Sequence, residues 1–234
     1  MTNPVSYQQA DATATITMDD GKVNALSMTM FDELNAALDR AEAAGTAVVL
    51  AGREGVFSAG FDLRTLRAGG PRAPALVRTG FELSARLLEF PAPVVVACTG
   101  HAVAMGVFLL LSGDFRIGAA GPYRITANEV AIGLTMPRPG IEIGRQRLAP
   151  AHFSRALILA DVYAPDEAAV AGFLDRVVSP DELGPAAQAA ADQLAKLDLA
   201  AHAATKRRIR QPTVDAIRAS LEEDARALAG TAGA

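Results

Sequence analysis

The sequence predicts an α/β domain, and three observations carry that reading. Residues 12–18 alternate strictly, with Ala14, Ile16 and Met18 on one face and Thr13, Thr15 and Thr17 on the other. That two-residue period marks a half-buried strand. From Ser27 the period changes: Phe31, Leu34, Leu38 and Ala41 recur every three to four residues, with charged residues between them. This is the stripe of an amphipathic helix. A continuous apolar run follows at 47–50, as expected of a strand covered on both faces, and the helix-then-strand order then returns.

Asp19, Asp20 and Gly21 read as a turn closing the first strand. Ser27 is placed to cap the first helix and Gly45 to end it. Residues 76–90 make a second helix, stopped by Pro91 and Pro93, and 94–98 a second buried strand. A turn at Gly100 leads into 105–112, an apolar segment of helical length. Short strands are expected at 115–117, 123–126 and 173–178, and a helix at 150–160. From Pro180 the chain is Ala-rich and helical, with a break expected at Pro212. That shift sets the boundary between a body, residues 1–180, and a C-terminal helical region, residues 181–234. Val214, Ile217, Leu221 and Leu228 share helical spacing there. A lone helix is marginal in water, so this stripe should dock on the body or on a neighbour.

Composition removes several function classes. Half of the 234 residues are hydrophobic and 21% are charged, which excludes a disordered or collagen-like chain. The net charge is −4, and the 22 basic residues are scattered rather than gathered into the stripe of a nucleic-acid binder. The single Cys98 allows no disulfide framework and fits a reducing interior. His101, His152, His202 and Cys98 lie too far apart to suggest a metal site. The first twenty residues lack the basic and apolar regions of a signal peptide, and no apolar run approaches the roughly 18 residues of a membrane span. These features point to a cytoplasmic protein with no nucleic-acid or membrane partner.

Three loops are candidates for chemistry. In the first, Ser58, Ala59, Gly60 and Phe61 follow the apolar run and enter a helix. Small residues allow close backbone approach, and helix starts carry unpaired N–H donors. In the second, His101 to Gly106 follow the strand at 94–98 and end at another helix start. Two strand-to-helix turns from one sheet can aim two N–H groups at one point, which is how an oxyanion hole is built. An ordinary tight turn explains either loop alone. The third carries Glu129, just after a short strand. It reads as a solvated carboxylate, a helix cap, or a general base.

Taken together, these segments resemble the enoyl-CoA hydratase/isomerase superfamily, the crotonase family. The likeness rests on Val23-Asn24-Ala25-Leu26, on the segment 57–63, on Gly100-His101-Ala102 through Asp114, and on Glu129 through Gly140. It implies a crotonase-like spiral of ββα units with two roughly perpendicular sheets. It also implies a C-terminal helical trimerisation region, and hence a homotrimer or a dimer of trimers. The implied ligand is an acyl-CoA thioester, with coenzyme A part of the substrate and no separate cofactor. The shared step is enolate stabilisation by two backbone N–H groups, which map to Phe61 and Met105. The segment around Ser58, Ala59 and Phe61 corresponds to the adenine-contacting loop, with Gly60 a further substrate-binding position within it, and Lys22, Asn24 and Ala25 fall in a segment that often lines the coenzyme path. Gly106 lies beside the second donor.

The chain departs from the family in two places. Family members often carry Gly-Gly before the helix where this chain has Ala104-Met105-Gly106. A backbone N–H survives that change, and the Met105 side chain must enter the acyl pocket or the core. The same spiral carries Clp-type serine peptidases, with Ser at this position; Met cannot be that nucleophile. The second departure is Phe108, at the position of one of the two glutamates that hydratases use to hold water. The other maps to Glu129. Isomerases of the family keep only that one, and Asn128 to Gly133 is similar to their Asn-Glu-x-x-x-Gly pattern. The resemblance therefore favours a Δ3-Δ2 enoyl-CoA isomerase. An enoyl-CoA hydratase and a non-enzymatic acyl-CoA-binding protein are the alternatives. Glu142 is expected in the first turn of a helix, either for the helix dipole or as a second carboxylate. Asp62, Asp114 and His101 read as structural. The run 206–210 is either a solvated face or a contact for the coenzyme phosphates.

Overall fold

The computed structural model describes residues 3–231, and side chains through residue 223. Strands β1 (Val5–Ala10) and β2 (Thr13–Met18) form an antiparallel hairpin. Helix α1 (Met28–Ala44) follows, with the Met30 N–H donating to Ser27 Oγ at 3.2 Å and Gly45 closing it at φ +65°. Both ends of α1 are thus made by the residues expected to make them.

Three repeats then follow in the same element order. β3 (Ala47–Ala51) is followed by β4 (Gly55–Ser58), α2 (Leu63–Ala68) and α3 (Arg72–Glu89). β5 (Val94–Cys98) is followed by β6 (Gly100–Val103) and α4 (Met105–Leu111). β7 (Phe115–Ala119) is followed by β8 (Ile125–Thr126), a short 3-10 turn (Val130–Ile132) and α5 (Arg138–Arg147). The first strand of each repeat joins a six-stranded sheet ordered β1-β2-β3-β5-β7-β9, and the second joins a three-stranded sheet ordered β4-β6-β8. This is the ββα spiral with two sheets. Helices α6 (Pro150–Leu157) and α7 (Pro165–Ala171) lead to β9 (Arg176–Val178), then α8 (Pro180–Leu194) and α9 (Leu199–Thr231).

Alternation along the central strands explains their apolar runs. Val48, Leu50, Val94 and Val96 face the main core, while Ala47, Val49, Val95 and Ala97 face a second core under Leu183, Ala187 and Ala191 of α8. The threonine face of β2 also turns to α8, where Thr13 Oγ1 donates to Asp192 at 2.8 Å.

Three strands were not expected. β1 is mostly exposed and polar, so it carries no alternation. β4 and β6 are four residues each and begin with glycine, so they read as loops. The break expected at Pro212 does not occur: α9 runs through it, and the interruption falls between α8 and α9 instead. Proline costs a helix one hydrogen bond, and α9 is anchored on both sides of it. Val214, Ile217 and Leu221 are buried after it, and Lys206 and Arg210 before it. The side chain of Leu228, the fourth residue of that stripe, lies outside the described residues.

Lys206 and Arg210 correct a second expectation. Both pair with Asp114, at 2.7 and 2.8 Å, and each is at least nine-tenths buried. Lys206 and Arg210 of the run are therefore a buried tie to the body, and Arg207, Arg208 and Ile209 form its exposed face. Asp114 also accepts the Val94 N–H at 2.8 Å, the structural role expected of it. Among the described residues no helix is long and apolar enough to cross a membrane.

Candidate active site

Parallel pairing of β4 with β6, Gly55 opposite Gly100 and Ser58 opposite Ala102, sets two strand-to-helix turns side by side. Their contact is close enough to demand glycine. A Cβ on Gly60, whose φ is +89°, would lie 2.9 Å from Ala104 Cβ and 3.2 Å from the Met105 nitrogen. A Cβ on Gly106 would lie 2.5 Å from the Ser58 carbonyl oxygen.

The donors follow from local geometry. Leu26 bridges in parallel to Phe61, its N–H donating to Gly60 O at 2.8 Å and its C=O accepting from Asp62 N–H at 3.1 Å. A parallel bridge of this kind uses the neighbours of Phe61 and leaves the Phe61 N–H on the opposite side of the strand. Asp62 then starts α2, accepting from Arg64 N–H and from Thr65 Oγ1 at 2.8 Å, the capping role expected of it. Met105 is the first residue of α4, so its N–H has no acceptor within the helix. Ala104 before it sits at φ +50°, ψ −126°, a conformation that L-residues rarely adopt.

Glu129 reaches the same end of the small sheet. β6 pairs with β8, and Ala104 N–H donates to Thr126 O at 3.0 Å, three residues before Glu129. Glu129 is 6% exposed although Val130, Ile132 and Leu134 beside it are largely exposed. Its Oε2 is buried without a hydrogen-bond partner, as is Oδ1 of Asn128. Burial disfavours the charged carboxylate and pushes its pKa up to about 7.

An apolar wall completes the neighbourhood. The rings of Phe31, Phe61 and Phe81 meet edge-on in sequence, each pair 6.3 Å apart, and Phe81 meets Phe108 at 5.7 Å. Phe108 is fully buried and abuts Gly140, where a Cβ would lie 2.7 Å from its ring. Met105 points into the main core.

Other expected site residues fall elsewhere. Asn24 is fully buried and its carboxamide is taken up by main-chain groups of β2 and β4, so it braces the loop rather than lining a ligand path. Ser58 is likewise buried, its hydroxyl donating to Asn24 O at 2.8 Å. Ala59 and Lys22 are exposed and Ala25 half-buried. Glu142 sits in the second turn of α5, not the first, pairs with Arg145 at 3.4 Å, and lines a cleft against Ala216, Ala219 and Glu223 of α9. His101 accepts the Arg124 N–H through Nδ1 at 3.0 Å, a structural role. Sequence reasoning read Asp20 only as part of a turn and missed that its carboxylate organises the loop before Leu26. The signal was the Asp-x-x-x-Asn spacing in a turn, where such side chains bond nearby main chain.

The family model described as enoyl-CoA hydratase/isomerase matches residues 8–232. The chain belongs to the enoyl-CoA hydratase/isomerase family. An enoyl-CoA hydratase/isomerase family protein from Pseudomonas syringae superposes with a TM-score of 0.93 at 47% identity, over 94% of this chain and 96% of that one. A Mycobacterium tuberculosis protein described as an enoyl-CoA isomerase superposes at 0.91 and 48% identity, over 95% and 97%. A second structure of that same protein describes it as a probable enoyl-CoA hydratase, at 0.94 and 46%, over 98% of each chain. A curated relative, "Probable enoyl-CoA hydratase echA17" of Mycobacterium avium, is 35% identical over 174 residues, 71% of this chain. This chain spans 65% of that relative's length. The names of these relatives divide between hydratase and isomerase.

Proposed function

We propose that this enzyme is a Δ3-Δ2 enoyl-CoA isomerase that uses Glu129 as its proton shuttle. The observation that carries the reading is one buried carboxylate, with its pKa up to about 7, on a site whose second carboxylate position holds the fully buried Phe108. The Glu129 carboxylate takes a proton from C2 of a 3-enoyl thioester. The electron pair moves to the thioester oxygen, which accepts hydrogen bonds from the N–H groups of Phe61 and Met105. The enolate then collapses with the double bond between C2 and C3, and the Glu129 carboxyl returns the proton to C4. A base near pH 7 in pKa suits both transfers. Hydration needs a second group to hold water, and the apolar wall through Phe81 and Phe108 supplies none.

A two-substrate assay tests this. A 3-enoyl-CoA should be isomerised rapidly and a 2-enoyl-CoA hydrated only at background. Rapid hydration with no double-bond migration replaces this reading with a hydratase, and tight binding without turnover of either replaces it with an acyl-CoA-binding protein.

A further inference from the structure

We propose that Asp20 and Asn24 are positioning residues that set the direction of the Phe61 N–H without touching substrate. The inference rests on the oxyanion role proposed for that group. In a planar trans peptide, C=O and N–H point in opposite directions. The Phe61 N–H shares its peptide plane with the Gly60 carbonyl, so whatever holds Gly60 O aims the Phe61 donor. That holder is the Leu26 N–H, at 2.8 Å. The question becomes what fixes Leu26.

The answer is the loop before it. Asp20 Oδ1 accepts the N–H groups of Lys22 and Asn24 at 2.8 and 2.9 Å, and Oδ2 accepts that of Ala25, the neighbour of Leu26, at 3.0 Å. Burial pushes the Asp20 carboxyl up, but these donors and Arg53 outweigh it and hold it below the usual range. Asn24 stands at φ +52°, a region asparagine tolerates better than most residues. Its Nδ2 donates to Met18 O at 3.0 Å and Phe57 O at 3.1 Å, joining the ends of β2 and β4, and its Oδ1 accepts Asp20 N–H at 3.0 Å. The Asn24 carbonyl accepts Ser58 Oγ–H, and Ser58 Oγ accepts Gly60 N–H at 3.1 Å. Gly60 is therefore held at its C=O by Leu26 and at its N–H by Ser58, which is itself tied to Asn24, and Asp62 is held by the same Leu26. The two side chains thus fix the main chain leading into Leu26, whose N–H holds the carbonyl of the peptide that carries the Phe61 donor.

Asn24→Gly keeps the backbone conformation and removes the amide; Asp20→Asn keeps the Oδ1 acceptor and weakens the hold on Ala25. Misplacing a catalytic group by about 1 Å costs up to roughly 100-fold in rate. Turnover of 3-enoyl-CoA should fall roughly 10- to 100-fold in Asn24→Gly and less in Asp20→Asn, with KM little changed. The direct readout is the carbonyl stretch of an isotope-labelled enoyl-CoA bound to the enzyme. Its red shift should be large in wild type, retained in Glu129→Gln, and reduced in Asn24→Gly, with melting followed in parallel. Wild-type shift and turnover in a folded Asn24→Gly enzyme overturn the positioning role, as does equal loss of kcat and rise of KM with the shift intact. A wild-type enzyme that shows neither shift nor turnover instead overturns the proposed function.

Discussion

Glu129, the proposed base, is a carboxylate that the fold holds at a cost. Its raised pKa means that the folded state binds the proton more tightly than the unfolded chain does. Stability from this group is present at low pH and is lost as pH rises from 4.5 to about 7. Glu129→Gln should therefore melt higher than wild type at pH 8, by an upper bound of about 3 kcal/mol, with the gain vanishing near pH 4.5. The same variant should lose double-bond migration while keeping coenzyme-thioester binding. A variant that melts no higher at pH 8 refutes the buried charge, and an active one refutes the base. Since the base must be ionised, kcat/KM of wild type should rise through an apparent pKa near 7. Ala104, at φ +50°, is a second residue under strain. Ala104→Gly should raise stability by about 1 kcal/mol, measured by denaturant titration, because glycine adopts that conformation freely.

Among the elements, the two strand-to-helix turns depend on contact between backbones. Gly106→Ala would press a methyl against the Ser58 carbonyl, which cannot move without shifting β4. A loss of about 1–3 kcal/mol is expected on thermal unfolding, together with slower turnover. The tie between α9 and the body is the other sensitive contact. Asp114→Asn leaves Lys206 and Arg210 buried without their carboxylate and should cost roughly 3–5 kcal/mol, read as a fall in melting temperature. These elements differ in how readable they were. Helix α1 could be read because Ser27 and Gly45 make its ends locally, and β3 and β5 because both their faces are covered. Strands β4 and β6 could not be, since Gly-Val-Phe-Ser and Gly-His-Ala-Val become strands only through pairing with distant segments, β4 with β6 and β6 also with β8. The identity of Glu129 came from its resemblance to a family pattern. Its burial did not, because its sequence neighbours are exposed.

At the scale of the whole molecule, apolar side chains remain on the surface. Ile158 and Leu159 are 63% and 67% exposed, close in the chain to Val162 and to the Ile125–Tyr163 bridge that ties this segment to β8. Exposed apolar side chains this close in the chain offer a contact surface for a neighbouring subunit. We expect a trimer or a dimer of trimers, and sedimentation at micromolar concentration should give a mass of three or six chains. Ile158→Asp with Leu159→Asp should shift it toward one. The division of α8 and α9 between two sides of the body has a consequence for how the protein is made. α8 covers the outer face of the six-stranded sheet, and α9 locks to the opposite side through α3 and α5. Both are synthesised after every strand they protect. During translation the apolar outer face, Val49, Val95 and Ile117, therefore waits bare until Pro180–Leu194 has left the ribosome. A nascent chain paused before that point exposes an adhesive sheet, and slowing translation there should raise the fraction that aggregates or that a holding chaperone captures.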